Sequence, residues 1–111
     1  MNAFDVVGDP VRRRLIELLA EREQSAGELT LVVRNEFGIS QPAVSQHLRV
    51  LRENGFATVR PDRTRRLYAI APERFDEIDA WVDQVKRHWQ PAFDAISTEV
   101  ARGKKKKKGK G

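Results

Sequence analysis

Ser40-Gln41-Pro42-Ala43-Val44-Ser45-Gln46-His47-Leu48-Arg49-Val50-Leu51-Arg52-Glu53-Asn54-Gly55 is the stretch whose reading decides the fold. Ser40 can accept hydrogen bonds from the exposed N–H groups of a first helical turn, and Pro42 is tolerated in that turn. Asn54-Gly55 is a good stop. Between them Val44, His47, Leu48 and Leu51 recur at helical spacing and predict an inward stripe. At about 100° per residue, Gln46 and Arg49 then point away from the stripe, with Gln41, Pro42 and Ser45 on the flank beside them.

Working upstream, Ser25-Ala26-Gly27-Glu28 has the spacing of a capping box, in which the Ser and Glu side chains each satisfy a backbone donor. It predicts a helix with Leu29, Val32, Val33 and Phe37 on one face, ended by Gly38. Only Gly38, Ile39 and Ser40 separate this helix from the next, which is helix-turn-helix spacing. Earlier still, Asp9-Pro10 predicts a helix start, because Asp caps and Pro loses no hydrogen bond at the first position. Val11, Leu15, Leu18 and Leu19 form its apolar face, and Phe4 to Val7 read as a short partial helix before it.

Downstream the period changes. Phe56 to Arg60 and Arg66 to Ile70 are β-leaning runs around Pro61-Asp62-Arg63-Thr64-Arg65, which predicts a hairpin with a five-residue basic tip. Pro72 opens the longest predicted helix. Phe75, Ile78, Val82, Val85, Trp89, Ala92 and Ile96 alternate spacings of three and four along it, an a/d heptad seam suited to dimerisation or to packing within the chain, while Pro91 predicts a kink. The opposite face is acidic through Glu73, Asp76, Glu77, Asp79 and Asp83, so this helix is not expected to lie on a polyanion. The organisation expected is a domain over residues 1–102 and a disordered lysine-rich tail over residues 103–111.

A chain of 111 residues holds one domain and excludes a two-domain enzyme. Its net charge of +5 comes from the tail: without Lys104 to Lys108 and Lys110, residues 1–103 sum to −1. The distribution matters more. Residues 34–66 carry seven arginines against Glu36, Glu53 and Asp62, a net +4, whereas residues 71–100 carry a net −4. Such polarity suits one face to a polyanion. Cysteine is absent, so there is no disulfide, thiolate ligand or cysteine nucleophile, which fits a reducing compartment. No apolar run approaches the roughly 18 residues of a membrane span, and the first residues lack the basic start of a signal peptide. The expectation is a soluble cytoplasmic protein with no membrane partner.

Small polar side chains on the N-terminal half of an exposed helix are what a major-groove reader presents to base edges. Gln41, Ser45 and Gln46 are therefore the candidate base readers. Ser40, Arg49, Arg52, Arg63, Arg65 and Arg66 are the candidate contacts to the sugar–phosphate backbone. The order helix, turn, helix, basic hairpin makes a winged helix-turn-helix the economical fold class, mainly α with a small β-hairpin.

The stretch from Ser40 to Gly55 resembles the recognition-helix signature of the ArsR/SmtB winged-helix repressors, and Arg65-Arg66-Leu67-Tyr68 is similar to their wing. Gly8-Asp9-Pro10-Val11-Arg12 and Ser25-Ala26-Gly27-Glu28-Leu29 extend the likeness over roughly residues 4–100. The resemblance implies a homodimer, joined through the terminal helices, that binds a palindromic operator in double-stranded DNA and represses transcription. Phe4, Phe75, Ile78, Val82, Val85, Trp89, Ala92 and Ile96 are the candidate dimer contacts. Glu28-Leu29-Thr30-Leu31-Val32 stands where metal-sensing members carry cysteines, so that sensor motif is absent.

Other constellations are weaker. His47 sits beside the apolar stripe and suits a packed, hydrogen-bonded structural role better than a base contact. His88, with Asp83, Gln84 and Glu99, falls short of a zinc site, which needs three or four ligands; no metal or cofactor is expected. Trp81 and Trp89 could line a small-molecule effector pocket, although Trp89 suits the seam better, and nothing identifies an effector. No Gly-rich phosphate loop or catalytic His/carboxylate set is present, so an enzyme is not expected. A winged-helix protein-interaction module, antitoxin-like or an adaptor, that reads no DNA sequence stays open as the alternative.

Overall fold

The computed structural model describes residues 1–89. The expected kink at Pro91, the seam positions Ala92 and Ile96, and the lysine tail lie outside the described residues.

Helix boundaries fall where side chains can replace missing backbone partners. Helix α1 (Ala3–Gly8) opens on a capping box in which Asn2 accepts from the Asp5 amide at 2.8 Å. Helix α2 (Pro10–Glu21) follows at once, because Asp9 Oδ1 accepts from the amides of Val11 and Arg12 at 2.8 and 3.1 Å. Ser25 and Glu28 close the expected capping box at the head of α3 (Ala26–Phe37), and Gly38 ends that helix with φ +65°. Ser40 caps α4 (Gln41–Glu53), leaving the expected three-residue turn between α3 and α4. Gly55, at φ +79°, turns the chain out of α4.

Residues Met1–Ile78 form one packed unit. Its core joins Val6, Val11, Leu15, Leu19, Leu29, Val33, Val44, Leu48, Leu51 and Phe56, all buried. The helical faces read from the sequence are those that turn inward, with two differences. Phe37 remains exposed and Val32 is half-buried, because α3 rests on the core chiefly through Leu29 and Val33.

The hairpin pairs β2 (Ala57–Asp62) with β3 (Arg65–Ile70). Its tip is two residues, Arg63-Thr64, rather than five, because Pro61 and Asp62 continue in register opposite Arg66 and Arg65. Two-residue hairpin loops favour positive φ, and Arg63 adopts φ +60° without being glycine. A short strand β1 (Gln24–Ser25) adds to β3, making a three-stranded antiparallel sheet in the order β1-β3-β2. Gln24 is buried and donates through Nε2 to the Leu18 carbonyl at 2.6 Å, closing the end of α2.

After β3, Pro72–Arg74 form a 3₁₀ turn, and residues 75–89 are helical (α5). The long helix therefore begins one turn later than Pro72. Phe75 packs edge-on against Phe56 with centroids 5.1 Å apart, and Ile78 also rests on the core, so these seam positions serve packing within the protomer. In the second unit, from Asp79 onward, Val82 and Val85 are half-buried while Trp81 and Trp89 are 52% and 68% exposed.

Ser25→Ala should lower stability by about 1 kcal/mol in urea denaturation through loss of the α3 cap. The backbone N–H and hydroxyl of Ser25 hold the Glu28 carboxyl below its ordinary 4.5 against partial desolvation, with Arg22 adding to the effect. A carboxylate depressed on folding stabilises fully above that ordinary value and loses its contribution as pH falls through the lower folded one. Glu28→Gln should therefore flatten the acid-side loss of stability below pH 4.5 in urea melts repeated across pH. Arg63→Gly should hold or raise the melting temperature. The left-handed conformation costs a non-glycine residue about 1–2 kcal/mol, and glycine's extra unfolded-state entropy offsets only part of that gain.

Candidate nucleic-acid interface

Helix α4 buries Val44, Leu48 and Leu51 and exposes Gln41, Pro42, Ser45, Gln46, Arg49 and Arg52. The amphipathic pattern thus becomes one oily edge facing α2 and α3 and one hydrophilic edge facing outward. All three candidate base readers are exposed, and so are all six candidate backbone contacts, Ser40, Arg49, Arg52, Arg63, Arg65 and Arg66.

These positions differ in electrostatic state. Arg49 holds Glu53 at 3.0 Å along α4, and Arg65 holds Asp62 at 2.9 Å across the wing tip. The Asp62 hydrogen bond raises the Arg65 pKa further above its ordinary range. Among the described residues Arg52, Arg63 and Arg66 have no carboxylate partner. Exposed pairs add little to stability, so Arg49 and Arg65 can leave their carboxylates without unsettling the fold.

Arg60, also part of the basic hairpin run, is committed elsewhere. It binds Glu23 through Nε and Nη2 at 3.1 and 2.9 Å, which raises its pKa and ties the wing to the segment before β1. Arg14 makes a similar two-point contact with Glu36 at 2.8 and 3.0 Å, joining α2 to α3. That hydrogen bond holds the Glu36 carboxyl below its ordinary range.

An open groove of about 720 Å³ runs between α3 and α4. Gln41 and Ser45 line one wall; Thr30, Leu31, Arg34 and Asn35 line the other. Sequence reasoning missed this second wall. The available signal was Leu31, which falls off the apolar face of α3 and is 66% exposed, followed at three and four residues by Arg34 and Asn35.

His47 turns inward from α4 and is half-buried, with Nδ1 3.3 Å from Arg12 Nη1 and 3.9 Å from Asp9 Oδ1. Burial works against ionisation of Asp9, but amide hydrogen bonds from Arg12 and Val11 together with the nearby Arg12 charge outweigh it and lower the pKa. Among the described residues no three His, Cys, Asp or Glu side chains are grouped to hold a metal, and no helix is long and apolar enough to cross a membrane.

Comparison with known proteins places this geometry. The model for bacterial regulatory proteins of the arsR family matches residues 9–59, from the cap of α2 into β2. The HTH-type transcriptional regulator Rv2034 of Mycobacterium tuberculosis is 39% identical over 71 residues, 64% of this chain and 63% of that relative. The chain therefore spans less than two thirds of that curated relative. The crystal structure of the transcriptional repressor BigR from Xylella fastidiosa superposes with TM-score 0.55 at 33% identity, covering 69% of this chain and 76% of that one. The solution structure of a homodimeric winged helix-turn-helix DNA-binding domain, Mb0332 from Mycobacterium bovis, gives TM-score 0.56 at 24% identity over 75% of this chain and 73% of that one, a likeness of fold alone. The fold is a winged helix-turn-helix, and the chain belongs to the arsR family of bacterial regulatory proteins.

Proposed function

We propose that this chain is a cytoplasmic, homodimeric transcriptional repressor that binds a palindromic operator in double-stranded DNA. The observation that carries this reading is the two-sidedness of α4: Val44, Leu48 and Leu51 are buried while Gln41, Ser45, Gln46 and Arg49 stand outward. A helix held by one edge and bare on the other can enter the major groove, where glutamine matches adenine and serine adapts to several bases. Gln41, Ser45 and Gln46 read base edges. Ser40, Arg49 and Arg52 hold phosphates along α4, and Arg63, Arg65 and Arg66 hold them from the wing. The net +4 of residues 34–66 draws the duplex to this face.

Two copies are needed to match the symmetry of a palindrome. The apolar α5 seam from Val82 to Trp89 and, separately, the 42% exposed Phe4 on α1 are each apolar surface open to a second copy. The homodimeric state of the Mycobacterium bovis neighbour supports this assembly. Repression follows from occupying DNA that polymerase also needs; that the Xylella fastidiosa neighbour is a transcriptional repressor supports the repressor role, not this route to it. Binding rather than catalysis is the activity, with no cofactor, and a small-molecule effector, if used, is unidentified.

Selection of bound duplexes from a random pool tests the reading: an enriched inverted repeat is expected, whereas retention without sequence preference at low ionic strength would favour an interaction module. Gln46→Ala should reduce discrimination between the selected duplex and random DNA by about 1–3 kcal/mol in mobility-shift titrations. Arg66→Ala should weaken both kinds of binding alike and lower the log–log salt slope by about 0.9. Trp89→Ala should shift the sedimentation equilibrium toward monomer, since truncating a large aromatic at a contact costs about 3–5 kcal/mol when fully buried.

A further inference from the structure

Arg12 makes a contact set that base reading does not require. From the first turn of α2 its Nε donates to the Val6 carbonyl at 2.8 Å and its Nη2 to the Asp5 carbonyl at 2.9 Å. Both acceptors belong to the last turns of α1, where helical carbonyls lack partners of their own. The remaining arm, Nη1, lies 3.3 Å from His47 Nδ1 on α4. A guanidinium only donates, so Nδ1 accepts, and this geometry assigns the His47 proton to Nε2. Asp9 faces the same cluster, with Oδ1 3.9 Å from Nδ1 and engaged by the amides of Val11 and Arg12. A single planar fork therefore joins α1, α2 and α4 across 35 residues of sequence, on the inward side of the helix that exposes Gln46.

We propose that Arg12 is a positioning residue that couples α1 to α4 through His47, so that contacts made by α1 outside the protomer and DNA contacts made by α4 are energetically linked. The clause about DNA and the α1 contact rests on the function proposed above; the coupling of α1 to α4 does not. His47 reaches the end of α1 through two side chains, Arg12 at 3.3 Å and the capping Asp9 at 3.9 Å, and of these only Arg12 donates to α1 carbonyls. Lysine cannot substitute, because an ammonium lacks the planar fork that reaches two carbonyls and an imidazole together.

Amide hydrogen exchange on the full chain, read by NMR, tests the coupling without DNA. In His47→Leu, which keeps bulk beside the Leu48 stripe but removes the acceptor, the amides of Val6, Val7 and Gly8 should exchange about 2- to 10-fold faster, the range one net hydrogen bond corresponds to. His47→Asn, whose side-chain oxygen can stand near the Nδ1 position, should restore slow exchange. Unchanged α1 exchange in His47→Leu, or an Asn variant that behaves as Leu does, overturns the coupling. With a duplex selected by the parent protein, Arg12→Lys and His47→Leu should each weaken binding about five-fold or more, and the double variant should be no weaker than the worse single one. Additive losses overturn the link to DNA. A parent protein that selects no duplex sinks the proposed function, while the exchange measurement still decides the coupling.

Discussion

Burial of Val44, Leu48 and Leu51 is the constraint on which the rest depends. Each fully buried aliphatic side chain contributes about 1.5–3 kcal/mol, whereas exposed ion pairs such as Arg49–Glu53 contribute about 0–1. Packing therefore fixes the rotation of α4 about its axis, and the charges on its outer edge do not. A one-residue slip in register would turn the helix by about 100° and carry Gln46 off its outward bearing. The same division of labour leaves the outer side chains free to change partners without disturbing the core.

The elements around α4 end abruptly enough to keep that orientation. Gly38 and Gly55 take the left-handed backbone that ends α3 and turns the chain out of α4, so neither helix extends into its neighbour. Phe56 is wholly buried directly after Gly55 and receives Phe75 edge-on, which anchors the base of the wing to the start of α5. On the other side, β1 pairs with β3, and Glu23 grips Arg60 on β2. The wing is thus held on both flanks at its base, while Arg63 to Arg66 project at its free end. Rigid support below and exposed cations above is an arrangement suited to a surface that must meet a large charged partner in one orientation.

What could be read from the sequence was local. Asp9, Ser25, Ser40 and Gly38 act on backbone groups within four residues, and each does what its position predicts. The apolar stripe of α4 is also a short-range pattern, so the outward placement of Gln41, Ser45, Gln46 and Arg49 followed from it. The misses were non-local or conformationally disguised. Strand β1 is only two residues long and exists through pairing with Leu67 and Tyr68, some forty positions away by sequence, which no local period records. The tight hairpin was hidden because Arg63 occupies a left-handed position that usually advertises itself as glycine. Arg34 and Asn35 lie off the apolar face of α3, and only the packing of the helix pair sets them across a groove from Gln41 and Ser45.

The exposed arginines of this face form two sets, and the distinction bears on how it would release counterions. Arg52, Arg63 and Arg66 have no carboxylate partner among the described residues, so a phosphate reaching them would displace mobile cations from the duplex and nothing from the protein. Arg49 and Arg65 already hold Glu53 and Asp62, and a phosphate reaching them would leave those carboxylates exposed beside the incoming anion. Repulsion from the stranded carboxylates, screened over about 8–10 Å at moderate salt, opposes part of the gain. The unpaired set should therefore dominate affinity for any duplex, with the paired set adding directional hydrogen bonds once alignment brings phosphate within reach. Glu53→Gln and Asp62→Asn should then strengthen binding to selected and random duplexes alike in filter-binding titrations. An unchanged affinity would mean that Arg49 and Arg65 face away from the nucleic acid.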